Sequence, residues 1–189
     1  MLRPATVVDL PIVRALIREG AARGSFDRVL ATDSLRADRF FARLRQALAT
    51  GYFVEEDART GELATVAVPG YVFVPDDERS AHRPIGFGLF KAAAAGYELW
   101  LTAIAAAWRG NGHGRAMLAA LLETPPGRET YVVRVAALGS ESPAMAHLLQ
   151  SLGYACARET PQEAWHLRDD APEEVRRGLD IVAVTRASS

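Results

Sequence analysis

Residues 108–117 read WRGNGHGRAM, with glycine at 110, 112 and 114, arginine on either side at 109 and 115, and the apolar run MLAALL beginning at 117. Glycine is a poor helix former, so three of them directly before a helical pattern need a reason in the backbone. The stretch upstream, YELWLTAIAA (97–106), has the apolar content of a strand, and RAMLAALLET (115–124) has helical spacing. A strand, a glycine loop and a helix in that order leave unpaired N–H groups at the helix start, at the positive end of the helix dipole. The loop is therefore a candidate anion site. Its glycines let the backbone come close to a phosphate and take positive φ where needed, and Arg109 and Arg115 can add charge-assisted hydrogen bonds. The competing reading is a loop whose glycines only relieve crowding.

Outward from this loop the chain alternates between strand and helix patterns. Downstream, TYVVRVAA (130–137) reads as a strand buried on both faces. The loop LGSES (138–142), a helix opened by Pro143 and two strands near 154–158 and 164–167 follow, and the tail adds a short helix capped by Asp170 and one more strand. Upstream, 2–8 reads as a strand. Asp9 caps a helix with Pro11 just inside it, broken by Gly20 and Gly24. A second helix, SLRADRFFARLRQALATG (34–51), opens at Asp33 or Ser34 and carries Leu35, Phe40, Phe41, Leu44 and Leu48 at helical period. Between it and the glycine loop, GYFVEED (51–57), LATVAVPGYVFVP (63–75, bent at Pro69-Gly70), IGFGLFKAAAA (85–95) and YELWLTAIAA read as an antiparallel meander, interrupted by the polar loop DDERSAHRP (76–84). The prediction is a mixed α/β (α+β) fold forming a single domain over 1–189, with its core at about 2–167 and a C-terminal extension at 168–189.

Composition narrows the function classes. The chain has 189 residues, 49% hydrophobic and 24% charged, as suits one domain with a sizeable core. A net charge of −1 gives no electrostatic case for nucleic acid or an anionic membrane. The single cysteine, Cys156, excludes an intramolecular disulfide and fits a reducing compartment. The start MLRPATVVDL lacks the pattern of a signal peptide, and no apolar run reaches the roughly 20 residues of a membrane span. A cytoplasmic protein is expected. Four histidines and one cysteine show no ligand spacing, so no metal is expected. Two phosphate motifs also fail. There is no GxxxxGK[ST], and the dinucleotide pattern GxGxxG breaks at Arg115, with no acidic residue in TYVVRVAA to meet a ribose.

What does match is Arg109-x-x-Gly112-x-Gly114 after Ala103-Ile104-Ala105, which resembles the GCN5-related N-acetyltransferases, the GNAT family. The resemblance extends to the end of the following helix, where Leu148, Leu149, Gly153 and Tyr154 take the positions of the family's Leu-Tyr-x-x-x-Gly-Phe, and back to the opening LRPATVVDLPIVRALI. It implies helices flanking a mostly antiparallel sheet, splayed at the strand ending in Ile104 to admit acetyl-CoA. Ala103, Ile104 and Ala105 would hold the pantetheine arm. Arg109, Gly110, Asn111, Gly112, His113, Gly114 and Arg115 would hold the pyrophosphate, mostly through main chain. Ser142 falls where the family often has an asparagine on CoA. The implied activity is acetyl transfer from acetyl-CoA to the primary amine of a small molecule or peptide, and the resemblance allows a homodimer. The tail strand DIVAV offers an edge for such pairing.

Transfer needs a base for the ammonium proton and a donor for the developing oxyanion. A backbone N–H near Ile104 is the expected donor. Glu98 is the expected base: some family members place a glutamate at that offset, and six residues along a regular strand would put it on the face of Ile104. The competing reading is an ordinary strand glutamate paired with an arginine. A second branch of the family places a glutamate where this chain has Ala137, with Glu141 nearby. The tyrosine that many members use as general acid is replaced by Leu149. That departure supports the alternative of a catalytically weak or inactive CoA-binding module acting through a protein partner. His147, Cys156, Tyr97, Tyr131, Trp100 and Trp108 read as packing residues, and His113 as a contributor of backbone. The acceptor site is expected from the helices between Asp9 and Gly51 and from DDERSAHRP.

Overall fold

The computed structural model describes residues 1–56, 61–76, 82–93, 96–124, 130–136, 142–159 and 163–177. Strand β1 (Leu2–Pro4) is shorter than its sequence suggests, because the chain turns at once into a capped entry to the first helix. Thr6 and Asp9 form a capping box around the 3-10 turn Val7–Asp9. The Asp9 carboxylate does not bond to the helix that follows. It accepts from Thr6 N (2.9 Å) and takes both Arg3 nitrogens, at 2.8 and 2.6 Å. Helix α1 (Leu10–Arg23) then buries Val13, Leu16, Ile17 and Ala21. Gly20 does not break it: it lies inside the helix, and Gly24 ends it. After the short α2 (Val29–Thr32), α3 (Ser34–Thr50) is capped by Asp33, whose side chain accepts from Arg36 N, and is closed by Gly51. Phe41, Leu44, Ala37 and Ala47 form its buried stripe, whereas Leu35, in the first turn, is left exposed.

Strands β2 (Tyr52–Glu56) and β3 (Leu63–Ala67) form a separate two-stranded ribbon. β4 (Gly70–Phe73) belongs to the main sheet, so LATVAVPGYVFVP is two strands in two sheets rather than one bent strand. Pro69 cannot donate to a ladder, and its carbonyl accepts from Phe90 N as the chain changes sheets. The main sheet continues with β5 (Gly86–Ala93), β6 (Gly96–Ile104), β7 (Val132–Ala136), β8 (Tyr154–Glu159) and β9 (Glu163–Arg168), in the order β1-β4-β5-β6-β7-β9-β8. Every neighbouring pair is antiparallel except β6–β7. Helix α4 (His113–Glu123) starts inside the glycine run, ahead of the apolar run at 117, and α5 (Ser142–Gln150) follows β7.

Two cores sandwich this sheet. On one face, α1, α3 and the β2–β3 ribbon pack on Val72, Phe87 and Leu89. On the other, Leu118 and Leu121 of α4 and Leu149 of α5 pack on Phe73, Phe90, Leu99 and Val133. Residues 173–177 are helical, with Val175 packed on Leu167; Asp170 pairs with Arg168 instead of capping that turn. The final strand expected for the tail falls outside the described residues, as do 77–81 of the polar loop and LGSE. Among the described residues no helix is long and apolar enough to cross a membrane.

Asp9 is buried whereas Arg3 is partly exposed, so removing the carboxylate leaves Arg3 to water but forfeits its two bonds and the cap on Thr6 N at the entry to α1. Asp9→Ala is expected to cost about 1–2 kcal/mol in urea unfolding. The hydrogen bonds from Arg3 hold the Asp9 carboxyl below its ordinary 3.8. A group depressed by folding contributes fully above its unfolded value and loses that contribution as acid protonates it in the native state. Unfolding midpoints of the native chain should therefore fall below about pH 4, with a shallower fall in Asp9→Ala.

Candidate active site

β6 and β7 register at one residue pair, Glu98 with Val132, and then part. The parting opens a cavity of about 830 Å³ that runs through the sheet from the α4–α5 side to the α1–α3 side. The Ala105 N–H donates to Ile85 O, just ahead of β5. Along a strand the backbone groups of successive residues point to opposite edges, so Ile104 turns its N–H and C=O toward the β7 side. Arg109 Nε donates to that carbonyl at 3.2 Å, tying the glycine loop to the open edge of the strand.

The loop itself is built to present N–H groups. A 3-10 turn, Ala106–Trp108, leads out of β6. Gly110 and Gly112 take φ of +82° and +79°, a region that side chains disfavour, and Gly112 is the N-cap of α4. The first helical bond is Ala116 N–H to Gly112 O, at 3.0 Å. Ahead of it, the N–H groups of Gly110, Asn111, Gly112, His113, Gly114 and Arg115 make no bond within the described residues. Gly114 has a different reason to be glycine. A Cβ there would meet nothing nearer than Leu148 Cδ1 at 3.9 Å, so neither backbone nor packing demands its absence. Gly114 lines the cavity, and the missing side chain leaves room for a ligand to reach the helix start. Backbone donors, a helix terminus and two arginines form a donor set that fits a pyrophosphate.

The structure brings most of the sequence candidates together. Ala103, Ile104, Arg109, Gly110, Gly112, Gly114 and Arg115 line the cavity; Ala105, Asn111 and His113 are in the same loop region but not on its wall. The His113 ring packs edge-on against Trp108 at 5.4 Å, which leaves its backbone to serve the loop. Arg115 reaches back to Ser151, at 3.4 and 3.5 Å. Ser142 is the first residue of α5, and its side chain is outside what the structure describes, as are Ala137 and Glu141. Leu149, at the tyrosine position of the resemblance, is fully buried in the α4–α5 core, and it is Leu148, with Ala144 and Met145, that faces the cavity.

Glu98 needs a correction. The β5–β6 register runs Gly86–Ile104, Phe87–Ala103, Gly88–Thr102 and Leu89–Leu101, and resumes at Phe90–Leu99 and Lys91–Glu98. Trp100 has no partner and forms a β-bulge, which puts two successive residues on one face. Leu101 and Ala103 pack with the α1–α3 core, whereas Leu99, Tyr97 and Ile104 pack with the α4–α5 core. Glu98 therefore lies on the face opposite Ile104, with Trp100 and Leu101. It is half-buried and is not on the cavity wall, which begins at Leu99 on this strand.

The segment between Asp9 and Gly51 was expected to shape the acceptor site, but the sequence did not single out the residues that form this wall on the α1–α3 side: Leu16, Phe26, Asp27, Leu30 and Phe40, with Trp100 of β6. Their apolar members carry the same periodic signal as core residues, and only the parting of β6 and β7 makes them a wall. Gly112→Ala forces a side chain into the left-handed region and is expected to cost about 1–2 kcal/mol. Gly114→Ala has ordinary helical geometry and no close neighbour, and should leave stability unchanged or raise it by up to about 1 kcal/mol. Thermal unfolding of the two variants separates a backbone requirement from a ligand requirement.

No family model and no curated protein matches this sequence. Solved structures do. The PaiA N-acetyltransferase of Thermoplasma acidophilum, in complex with coenzyme A, aligns at a TM-score of 0.60 and 13% identity over 89% of this chain and 97% of its own. A GNAT superfamily phosphinothricin acetyltransferase from Sinorhizobium meliloti, in complex with acetyl-CoA, aligns at 0.55 and 17% identity over 89% of both chains. The ribosomal-protein-alanine N-acetyltransferase of Brucella melitensis aligns at 0.55 and 18% identity over 88% of this chain and 97% of its own. The chain therefore has the fold of the GCN5-related N-acetyltransferases.

Proposed function

We propose that this protein is an acetyl-CoA-dependent N-acetyltransferase acting on a primary amine. The observation that carries the reading is the run of unbonded N–H groups over residues 110–115, at the start of an eleven-residue helix beside a gap in the sheet. The fold supports it, since neighbours with this architecture are acetyltransferases described with acetyl-CoA or coenzyme A. In this reading residues 110–115 hold the pyrophosphate, with charge from Arg109 and Arg115. The open edge of β6 at Ala103, Ile104 and Ala105, facing Val133 and Val135 of β7, holds the pantetheine arm. When bound, acetyl-CoA supplies a thioester whose C–S bond breaks as the amide C–N bond forms.

The chain's own contribution is placement and proton management. The Ile104 N–H, turned to the open edge, polarises the carbonyl. Glu98, on the acceptor side of the sheet, accepts the proton of the ammonium through water, since it is not on the cavity wall. On α5 the cavity-facing side chains are Ala144, Met145 and Leu148, so that helix offers no general acid among the described residues.

Calorimetric titration with acetyl-CoA tests the cofactor half. The native chain should bind, and Gly114→Glu, which adds a carboxylate to the cradle without internal strain, should weaken binding by roughly tenfold or more. A folded native chain that does not bind would overturn the reading. For Glu98, the Gln variant should lower kcat by about 100-fold or more with KM little changed; unaltered turnover would remove Glu98 as base.

A further inference from the structure

The cavity has a second half on the α1–α3 face that the glycine loop does not reach, and its composition is one-sided. Leu16, Phe26, Leu30, Phe40 and Trp100 supply its wall. Phe40 and Trp100 pack against one another and are each backed by a further ring. Their rings are 5.9 Å apart, Phe53 backs Trp100 at 5.6 Å, and Phe41 backs Phe40 edge-on at 5.3 Å. Gly20 is part of the same construction. A Cβ at Gly20 would lie 2.5 Å from the Phe26 ring, so its absence lets that ring sit directly on α1. The glycine occupies a helix interior, where it costs about 1 kcal/mol against alanine.

Polar groups in this half are few. Ser25 and Asp27 line it, and its cations, Arg109 and Arg115, belong to the loop half. Arg14 and Arg18 of α1 stack on Phe41, at 4.9 and 5.8 Å, and do not face the cavity. Asp27 is exposed, and its Oδ1 accepts from Val29 N at 3.0 Å, which fixes the carboxylate at the start of α2. A polyamine or an extended peptide brings polar groups that this wall cannot satisfy, and an unsatisfied polar group is expensive to bury. A flat apolar body with one ammonium suits it: the body meets the rings, and the ammonium meets one carboxylate and the ring faces.

We propose that the acceptor is a primary amine carried on an aromatic or similarly flat apolar body, with Phe40 and Trp100 as its wall and Asp27 as the group that receives its ammonium. Its role as the acetyl acceptor rests on the acyl-transfer reading; its binding does not. Calorimetry on the full chain tests the two separately, with phenethylamine and spermidine as amine probes and acetyl-CoA titrated on its own. Phenethylamine should bind at least tenfold more tightly than spermidine. Asp27→Asn should weaken phenethylamine about fivefold and leave phenethyl alcohol, which has the same body and no charge, unchanged. Gly20→Ala, which drives Phe26 into the cavity, should weaken both aromatic probes alike.

Equal or tighter binding of spermidine, or no phenethylamine binding by a chain that still binds acetyl-CoA, would overturn the acceptor class and leave acyl transfer standing. Selective phenethylamine binding by a chain that does not bind acetyl-CoA would support the aromatic site and overturn the transferase. If the chain binds both, acetylation of phenethylamine in preference to spermidine, followed by thiol release, supports the full proposal, and the reverse preference sinks it.

Discussion

Two strands that lie side by side for one residue pair and then separate leave a line of backbone donors and acceptors without partners. Buried backbone groups must be satisfied, so the gap between β6 and β7 is the constraint around which the rest of the molecule is arranged. On the β6 side the constraint is met partly from within, by the Arg109 guanidinium on Ile104 O. The same bond fixes where the chain goes next. It holds the loop against the strand end, and α4 therefore begins beside the gap, with its unbonded N–H groups next to the open edge.

The gap also divides the labour of the two cores. The α4–α5 core, anchored on Phe90, Leu99 and Leu121, sets the position of the glycine loop. The α1–α3 core, anchored on Phe41, Phe87 and Leu89, sets the aromatic wall. Each core is packed independently against its own face of the sheet. One cavity with halves of opposite character results, one rich in backbone donors and one nearly apolar, joined where β6 and β7 have parted. The Asp9–Arg3 pair serves the apolar half indirectly, because it fixes the entry of α1, and α1 carries both Leu16 and Gly20 to the wall.

What was legible in the sequence follows from the range of the interactions. The glycine loop is local: the helix start and the flanking arginines are properties of a few adjacent residues and could be read directly, whereas which of its glycines take positive φ could not. The capped ends at Asp33, Gly24 and Gly51 are local too. Long-range effects were not legible. Pro69-Gly70 signals a bend, but only the pairing partners reveal that β3 and β4 lie in different sheets. Phe40 and Trp100 carry an ordinary core pattern, and their place on a cavity wall depends on β6 parting from β7, a strand that no pattern local to either residue reports. Leu149 was read as a vacant catalytic position on resemblance alone, whereas its helix turns it into the core.

Trp100 has a consequence for comparing this chain with others. Apolar alternation is the usual guide for aligning strands, and it holds along β6 on either side of this residue but not across it. An alignment that preserves alternation from Gly96 to Ile104 without a one-residue gap at 100 assigns each upstream residue to the wrong side of the molecule. Tyr97 and Leu99 would be scored as neighbours of the aromatic wall, and Glu98 as a neighbour of α4. Relatives that lack the extra residue would carry the equivalent of Glu98 one position nearer in sequence to the glycine loop, so functional residues in β6 have to be transferred by face and not by count.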